Sequence, residues 1–259
     1  MSLVDLKKHV PSGTIILNRR DKRNALSRES MVELRQAFED FRQERKVRAV
    51  ILTGAGESFC SGMDLGEMLA TSKQPDSQSR WYDDAVQYKD LIEAMLRFPK
   101  PIIAAVNGPA VAGGAGLVLA CDIVVAGEGA SFGFPEPRRG LVAGLVSPLL
   151  TFRIGAGYAA NLLLSARTID AAEALRVQLF HELVKDELVW ARAHAIAEEC
   201  AKSAPESLLL TKRMLNENIG EHLGVLLSAG AAASATARTT EAAQEGLAAF
   251  LAKRPPVWR

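Results

Sequence analysis

The sequence has little of what disulfide scaffolds, metal centres or membrane spans require. It holds 3 cysteines and 4 histidines in 259 residues. The cysteines are odd in number and lack metal-ligand spacing, which predicts reduced thiols and no metal site. No apolar run approaches the roughly 20 residues that cross a bilayer, and the opening MSLVDLKKHV lacks the apolar segment of a secretory signal. We therefore expect a cytoplasmic protein without a membrane partner.

An excess of charge of either sign is also lacking. The chain has 31 Lys and Arg against 30 Asp and Glu, a formal net charge of +1. No global field attracts a polyanion, so nucleic acid is not expected as a partner. What the chain does have is 48% apolar residues over a length near the upper limit for one hydrophobic core. A single domain is predicted.

The stretch from Pro101 to Asp122, PIIAAVNGPAVAGGAGLVLACD, carries the first functional signal. A β-branched run leads through a turn into glycines, and the residues from Gly114 onward favour a helix. The start of a helix presents unpaired N–H groups and the positive end of its dipole. Glycine lets a ligand approach that backbone closely. The junction suits a phosphate or a developing oxyanion, and it matches neither the dinucleotide motif nor the P-loop.

A second stretch, Val47 to Met68, runs from a predicted strand through glycines into FCSGMDLGEM. Asp64 is open to two interpretations, a catalytic acid or a helix N-cap, and its spacing to Glu67 favours the cap. Cys60 has no histidine in these motifs to activate it as a nucleophile. A packed thiol is predicted there.

Alternating strands and helices predict a parallel α/β core. A helix is expected from Ser30 to Arg45, with Glu33 completing a capping box. The polar segment from Thr71 to Arg80 predicts a surface loop, followed by a helix from Asp84 to Phe98. From Gly144 onward the chain is predicted to be mostly helical. The four histidines are scattered, and surface or packing positions are expected for all of them.

These motifs resemble the crotonase family, also called enoyl-CoA hydratase/isomerase. The resemblance extends to LNRRDKRNALS from Leu17 to Ser27, to SFGFPE around Glu136 and to AAFLAKRPPVW near the end. It covers nearly the whole chain in the expected order. It implies an α/β fold with a crotonase-like ββα spiral core over residues 1–200. A C-terminal helical region of the same domain, residues 201–259, would serve trimerisation, giving a homotrimer or a dimer of trimers.

The resemblance also implies site residues. The backbone N–H groups of Met63 and Gly113 would bind the thioester oxygen as an enolate forms, and Glu136 would transfer the proton. Coenzyme A would be part of the substrate, with no separate cofactor. The implied substrate-binding residues are Met63, Asp64, Leu65, Gly66, Lys22, Arg23, Gly113, Phe250 and Lys253.

Several of these positions keep a second interpretation. Glu136 lies between two prolines in an apolar turn, which predicts a raised pKa, although a plain surface glutamate has the same local sequence. The basic loop around Lys22 and Arg23 either contacts the CoA phosphates or is simply solvated. The aromatic residues Trp81, Tyr82 and Tyr88 either line an acyl pocket or belong to the core.

The chain departs from the family at the second catalytic carboxylate. Typical hydratases have a glutamate where this chain has Gly116, and Gly144 stands where the dehalogenase branch has its aspartate nucleophile. The stretch GLVAGLVSP replaces a more glycine-rich one. One carboxylate still suffices to move a proton between two carbons. Hydration or dehydration and double-bond isomerisation of an enoyl-CoA both stay open, with a non-catalytic CoA- or RNA-binding scaffold as the alternative.

Overall fold

A computed structural model describes residues 2–258, apart from the side chains of Asn218 and Ile219. Its centre is a six-stranded sheet in the order β1-β2-β3-β4-β6-β9, beside a three-stranded sheet in the order β5-β7-β8. The strands are β1 (Val4–His9), β2 (Ser12–Leu17), β3 (Ala49–Gly54), β4 (Ile102–Val106), β5 (Ala110–Val111), β6 (Ile123–Gly127), β7 (Ser131–Gly133), β8 (Thr168–Asp170) and β9 (Glu182–Val184).

Helices cover both faces of the large sheet and complete the C-terminal part. They are α1 (Arg28–Gln43), α2 (Leu65–Ser72), α3 (Ser77–Leu96), α4 (Gly113–Ala120), α5 (Ser147–Ser165), α6 (Ala171–Arg176), α7 (Val189–Ala201), α8 (Pro205–Arg213), α9 (Leu223–Ala237) and α10 (Glu241–Leu251). Short 3₁₀ turns occupy Arg20–Lys22, Glu136–Arg139 and Asp186–Leu188, and a π-helical turn spans Met214–Ile219.

The large sheet is parallel from β2 to β9, with only β1 antiparallel to its neighbour. Its central strands are almost entirely buried, as parallel strands covered on both faces require. Alternate residues of β3 face opposite sides. Val50 and Leu52 belong to the main core, whereas Ala49 and Ile51 pack with α7. The predicted parallel α/β core is confirmed.

The C-terminal helices share the core of the domain. Leu223, Leu227 and Ala231 of α9 belong to the main hydrophobic cluster, and Leu247 of α10 packs in a cluster with Trp81. Through these contacts the C-terminal helices join the hydrophobic core of the preceding residues. The boundary at residue 200 itself stays a prediction.

The predicted start of α1 is wrong. Its N-cap is Ser27, whose hydroxyl accepts from the Ser30 N–H while Ser30 accepts from the Ser27 N–H, a capping box made of two serines. Glu33 instead accepts hydrogen bonds from the N–H groups of Leu3 and Val4 at 2.8 and 3.0 Å. Because Ser30 already completes the cap, the Glu33 carboxylate is free to accept from the N–H groups at the start of β1.

The loop predicted from Thr71 to Arg80 is also wrong for most of its length. α2 continues to Ser72, and α3 begins at Ser77. Trp81 is 3% exposed, and its indole N–H donates to the Met68 carbonyl at 3.3 Å. Burial of this side chain stabilises an extra helical turn that its polar neighbours do not favour, so tertiary packing overrides local propensity.

Candidate active site

A cavity of about 470 Å³ opens beside the carboxyl ends of β2, β3 and β4. The loops that follow these three strands line it, together with the turn Glu136–Arg139 and residues of α9 and α10. Ligands of open α/β sheets bind at this edge, where successive loops diverge. The cavity therefore gathers parts of the chain that are far apart in sequence.

The loop after β3 turns the N–H of Met63 toward the cavity. Leu26 donates to the Gly62 carbonyl at 2.8 Å and accepts from the Asp64 N–H at 2.9 Å. In an extended chain, successive N–H groups point to opposite sides. The N–H of Met63 therefore faces away from Leu26. It donates to no acceptor among residues 2–258, and Met63 lines the cavity.

Asp64 anchors this loop, and its predicted role as an N-cap is confirmed. Its carboxylate accepts from the N–H groups of Gly66 and Glu67 and forms an ion pair with Arg19 at 2.9 Å. Burial acts to raise the pKa of this carboxyl, but Arg19 and the two N–H groups together lower it below its usual value. Asp64 is thus a stable anion that fixes the loop.

Gly113 begins α4, and its N–H also has no acceptor within the described residues. The preceding residue, Ala112, has a φ of 54°, a costly conformation for alanine. A Cβ on Gly62 would lie 3.0 Å from the Gly113 nitrogen, and one on Gly114 would lie 2.2 Å from the Cys60 carbonyl oxygen. Only glycine permits this approach, which brings the Met63 and Gly113 N–H groups into one region.

Glu136 lies on the 3₁₀ turn that follows β7, directly after Pro135. The residue is half-buried, but its Oε2 is fully covered and has no partner among the described residues. Burial raises the pKa of the Glu136 carboxyl to about 7, and the nearby charge of Arg139 opposes the shift. The predicted direction of this pKa shift is confirmed, and the side chain exchanges protons near neutral pH.

Arg139 is a cation of the cavity that the sequence analysis missed. Its Nε is covered and has no hydrogen-bond partner in the described chain. Its guanidinium stacks over the Phe250 ring at 4.4 Å, a cation–π contact between the Glu136–Arg139 turn and α10. No local pattern marks this arginine, because its partner ring lies more than a hundred residues further along the chain.

The structure brings together most of the substrate-binding residues that the resemblance implied. Lys253 is the exception, since it is exposed after α10 and does not line the cavity. Among the aromatic candidates, Tyr88 is buried and lines the cavity, Trp81 is core, and Tyr82 is 52% exposed. The implied residues that line the cavity are Lys22, Arg23, Met63, Asp64, Leu65, Gly66, Gly113 and Phe250.

The cysteines and histidines take the structural roles predicted for them. Cys60 is fully buried, and burial raises the pKa of its thiol to about 12. His194 shares a hydrogen bond with the Ser12 hydroxyl, and His181 accepts from the Val124 N–H. Among the described residues, no group of histidine, cysteine and carboxylate side chains could hold a metal ion, and no helix is long and apolar enough to cross a membrane.

Comparison with known proteins extends this picture to the whole chain. Residues 12–259 match the family model "Enoyl-CoA hydratase/isomerase". A Thermus thermophilus protein named "Putative enoyl-CoA hydratase" is 41% identical over 250 residues, 96% of this chain and 97% of the relative. A Clostridium acetobutylicum "Short-chain-enoyl-CoA hydratase" is 31% identical over 97% of this chain and 95% of its own.

Solved structures agree with the sequence comparison. An enoyl-CoA hydratase/isomerase from Pseudoalteromonas atlantica superposes with a TM-score of 0.86 at 30% identity, covering 100% of both chains. The crotonase-like fold is confirmed, and a non-catalytic scaffold receives no support from these relatives. Sequence and fold lead to one conclusion: this chain is an enzyme of the enoyl-CoA hydratase/isomerase family.

Proposed function

We propose that the enzyme shifts the double bond of an enoyl-CoA through a thioester enolate, with Glu136 as its only proton-transfer group. The observation that carries this proposal is the environment of Glu136. Three carboxylic acids line the cavity, Glu136, Asp64 and Asp21. Asp64 is held ionised by Arg19 and Asp21 is exposed. Only Glu136 combines a covered, unpartnered oxygen with a pKa of about 7.

A single carboxylate of this kind supports isomerisation. Ionised Glu136 takes a proton from Cα of a 3-enoyl thioester, so that the Cα–H bond breaks and a dienolate forms. The protonated side chain then returns a proton at Cγ, leaving the double bond between Cα and Cβ. A pKa near the working pH suits a group that must both accept and return a proton. The step needs no metal and no cofactor besides the CoA of the substrate.

The free N–H groups of Met63 and Gly113 support the enolate intermediate. Met63 is held by its bridge to Leu26 and Gly113 by the first turn of α4, so neither N–H requires reorganisation when charge develops on the thioester oxygen. Gly113 also adds the positive end of the α4 dipole. The loss of one such donor typically costs about 10²–10³ in rate.

CoA recognition is proposed for the mouth of the same cavity. Lys22 and Arg23 line it and supply positive charge for phosphate groups, while Phe250 offers a ring surface. Lys253 stays a prediction, since it is exposed beside this region rather than within the cavity. A homotrimer or dimer of trimers and a cytoplasmic location also stay predictions.

Hydration is the second candidate reaction, favoured by the names of the relatives, one of which is a short-chain-enoyl-CoA hydratase. It would add the oxygen of water to Cβ and a proton to Cα. Glu136 would then have to activate the water and deliver the proton without a second carboxylate.

The test is to incubate the enzyme in D₂O with 2-enoyl and 3-enoyl thioesters of CoA and follow deuterium at each carbon by mass spectrometry. We expect deuterium at Cα and Cγ and conversion of the 3-enoyl ester to the conjugated one. Glu136→Gln should lose at least about 10²-fold in exchange. Glu128→Gln, at an exposed acid, is the matched control. Full exchange by Glu136→Gln would remove Glu136 from the mechanism.

A further inference from the structure

The space that a side chain at position 116 would occupy is already filled. A Cβ on Gly116 would lie 2.1 Å from the hydroxyl oxygen of Tyr88 and 2.6 Å from Cγ1 of Val146. Tyr88 and Val146 line the cavity, whereas Gly116 does not. The position where typical hydratases have a glutamate therefore holds the tip of a tyrosine from α3, 28 positions earlier in the chain.

The Tyr88 hydroxyl is fixed in this place. It donates a hydrogen bond of 2.6 Å to the Gly113 carbonyl oxygen, in the first turn of α4. The side chain is 2% exposed, and its ring lies 3.6 Å from the Cβ that a residue at 113 would have. The ring and hydroxyl thus pack against Gly113 and occupy the place of a side chain at position 116.

A tyrosine here differs from a glutamate in acid–base chemistry. Burial raises the pKa of the Tyr88 hydroxyl well above its usual value, and the charges of Cys60 and Glu136 add to the shift. The hydroxyl is neutral at physiological pH, and its proton is engaged with the Gly113 carbonyl. A carboxylate at this place would bind a water molecule and take its proton, whereas the tyrosine supplies no base.

We infer that Tyr88 sets the reaction specificity of the enzyme: its anchored hydroxyl fills the position from which a second acid would hold water, so hydration is excluded and Glu136 alone transfers protons. This inference rests on the proposed isomerisation. It assigns a specificity-determining role to a residue of α3 outside both oxyanion loops.

The experiment measures hydration and isomerisation separately in five proteins: the wild type, Tyr88→Phe, Tyr88→Ala, Gly116→Glu and the double variant Tyr88→Ala with Gly116→Glu. Hydration is followed as ¹⁸O incorporated from labelled water into the 3-hydroxyacyl product. Isomerisation is followed as conversion of the 3-enoyl ester to the conjugated 2-enoyl ester. The readout is the ratio of the two rates, which general damage to the fold leaves unchanged.

We expect the double variant to raise the ratio of hydration to isomerisation at least about 10-fold over the wild type, because a positioned acid or base contributes about 10²–10⁴ to a rate. Gly116→Glu alone should melt earlier and gain no hydration, since its Cβ would overlap the Tyr88 hydroxyl. Tyr88→Ala opens the space for water and should raise the ratio by a smaller factor. If the double variant does not fold, Tyr88→Ala alone tests whether Tyr88 excludes water.

Four results would overturn the inference. Fast hydration by the wild type, with Cα exchange intact, would refute it while leaving enolate chemistry in place. Loss of that hydration in Tyr88→Phe would show that the hydroxyl holds the water instead of excluding it. If Tyr88→Ala and the double variant both fold and keep the wild-type ratio of hydration to isomerisation, Tyr88 does not determine the reaction specificity. Absence of Cα exchange in the wild type would refute the proposed function, and this inference with it.

Discussion

At Glu136, burial lowers the stability of the fold while it tunes the acid for proton transfer. The covered Oε2 has no partner among the described residues, and the ionised form loses solvation that its own backbone N–H and the charge of Arg139 offset only in part. A carboxylate in contact with a permanent cation would be more stable but would have a pKa far below neutrality. Arg139 is near enough to lower the pKa of Glu136 but forms no hydrogen bond with it. The pKa of Glu136 therefore stays between that of a paired carboxylate and that of a buried carboxyl with no cation nearby.

The first prediction concerns the stability of Glu136→Gln. Because folding raises the pKa of Glu136 from 4.5 to about 7, the wild type loses unfolding free energy as pH rises between these values. Solvent screens part of the cost at this half-buried residue, so above pH 7 the glutamine variant should be more stable by about 2 kcal/mol. Urea unfolding at pH 4 and pH 8 measures the gap in unfolding free energy between the variant and the wild type. An equal gap at both pH values would contradict the prediction.

A second prediction concerns Arg139→Gln. The positive charge of Arg139 favours ionised Glu136, so its removal raises the pKa of that carboxyl. Since the carboxylate is the active form, the rise of exchange rate with pH should move upward by up to about one unit. Exchange should fall at pH 6.5 and recover at pH 8.5. Arg138→Gln changes an exposed neighbouring cation and is the control. If the pH profile of exchange were unchanged in Arg139→Gln, Arg139 would have no effect on the pKa of Glu136.

At the scale of elements, the oxyanion region is built by bridges between loops. Leu26 pairs with Met63 and Cys60 pairs with Ala110, each in parallel register. These short pairings extend parallel hydrogen bonding beyond the ends of the strands. They hold the loop after β3 against the start of α4, which is why two N–H groups from distant segments stay unpaired side by side.

The third prediction uses two variants at Gly113. Gly113→Pro removes the N–H and should reduce Cα exchange by about 10²–10³-fold. Gly113→Ala keeps the N–H, and its Cβ would lie 3.6 Å from the nearest atoms, an ordinary contact. The alanine variant should therefore retain most of the exchange. Circular dichroism must show that both variants fold, and equal exchange in the two would place the oxyanion donors elsewhere.

At the scale of the whole molecule, the C-terminal helices present apolar side chains to the outside. Leu210 is 58% exposed, Met214 60% and Val225 72%, although the same helices bury other residues in the core. Exposed apolar side chains gathered on one group of helices are typical of a subunit interface. It agrees with the trimer or dimer of trimers that the family resemblance implies.

The fourth prediction concerns assembly. Light scattering should report a mass of three or six chains. Val225→Asp places a charge on the exposed face of α9 and should shift the mass toward the monomer. Val32→Asp changes a 60% exposed valine of α1 and should leave the mass unchanged. A monomeric wild type would refute the prediction of a trimer.

The sequence alone determined the features that depend on neighbouring residues. The apolar strands predicted the parallel sheet, the D-x-x-E spacing predicted the Asp64 cap, and the two prolines predicted a stiff turn at Glu136. The failures at this scale, Glu33 and the segment 71–80, arose where a distant group supplied a stronger interaction than the local pattern.

Only the tertiary structure decided how the site is completed. The sequence shows that Gly116 lacks a carboxylate, but not that the hydroxyl of Tyr88 takes its space. It gives no sign of Arg139 stacked on Phe250. Local propensities fix strands, caps and turns because their partners are a few residues away. Contacts across α3, α4 and α10 depend on the packing of the whole chain.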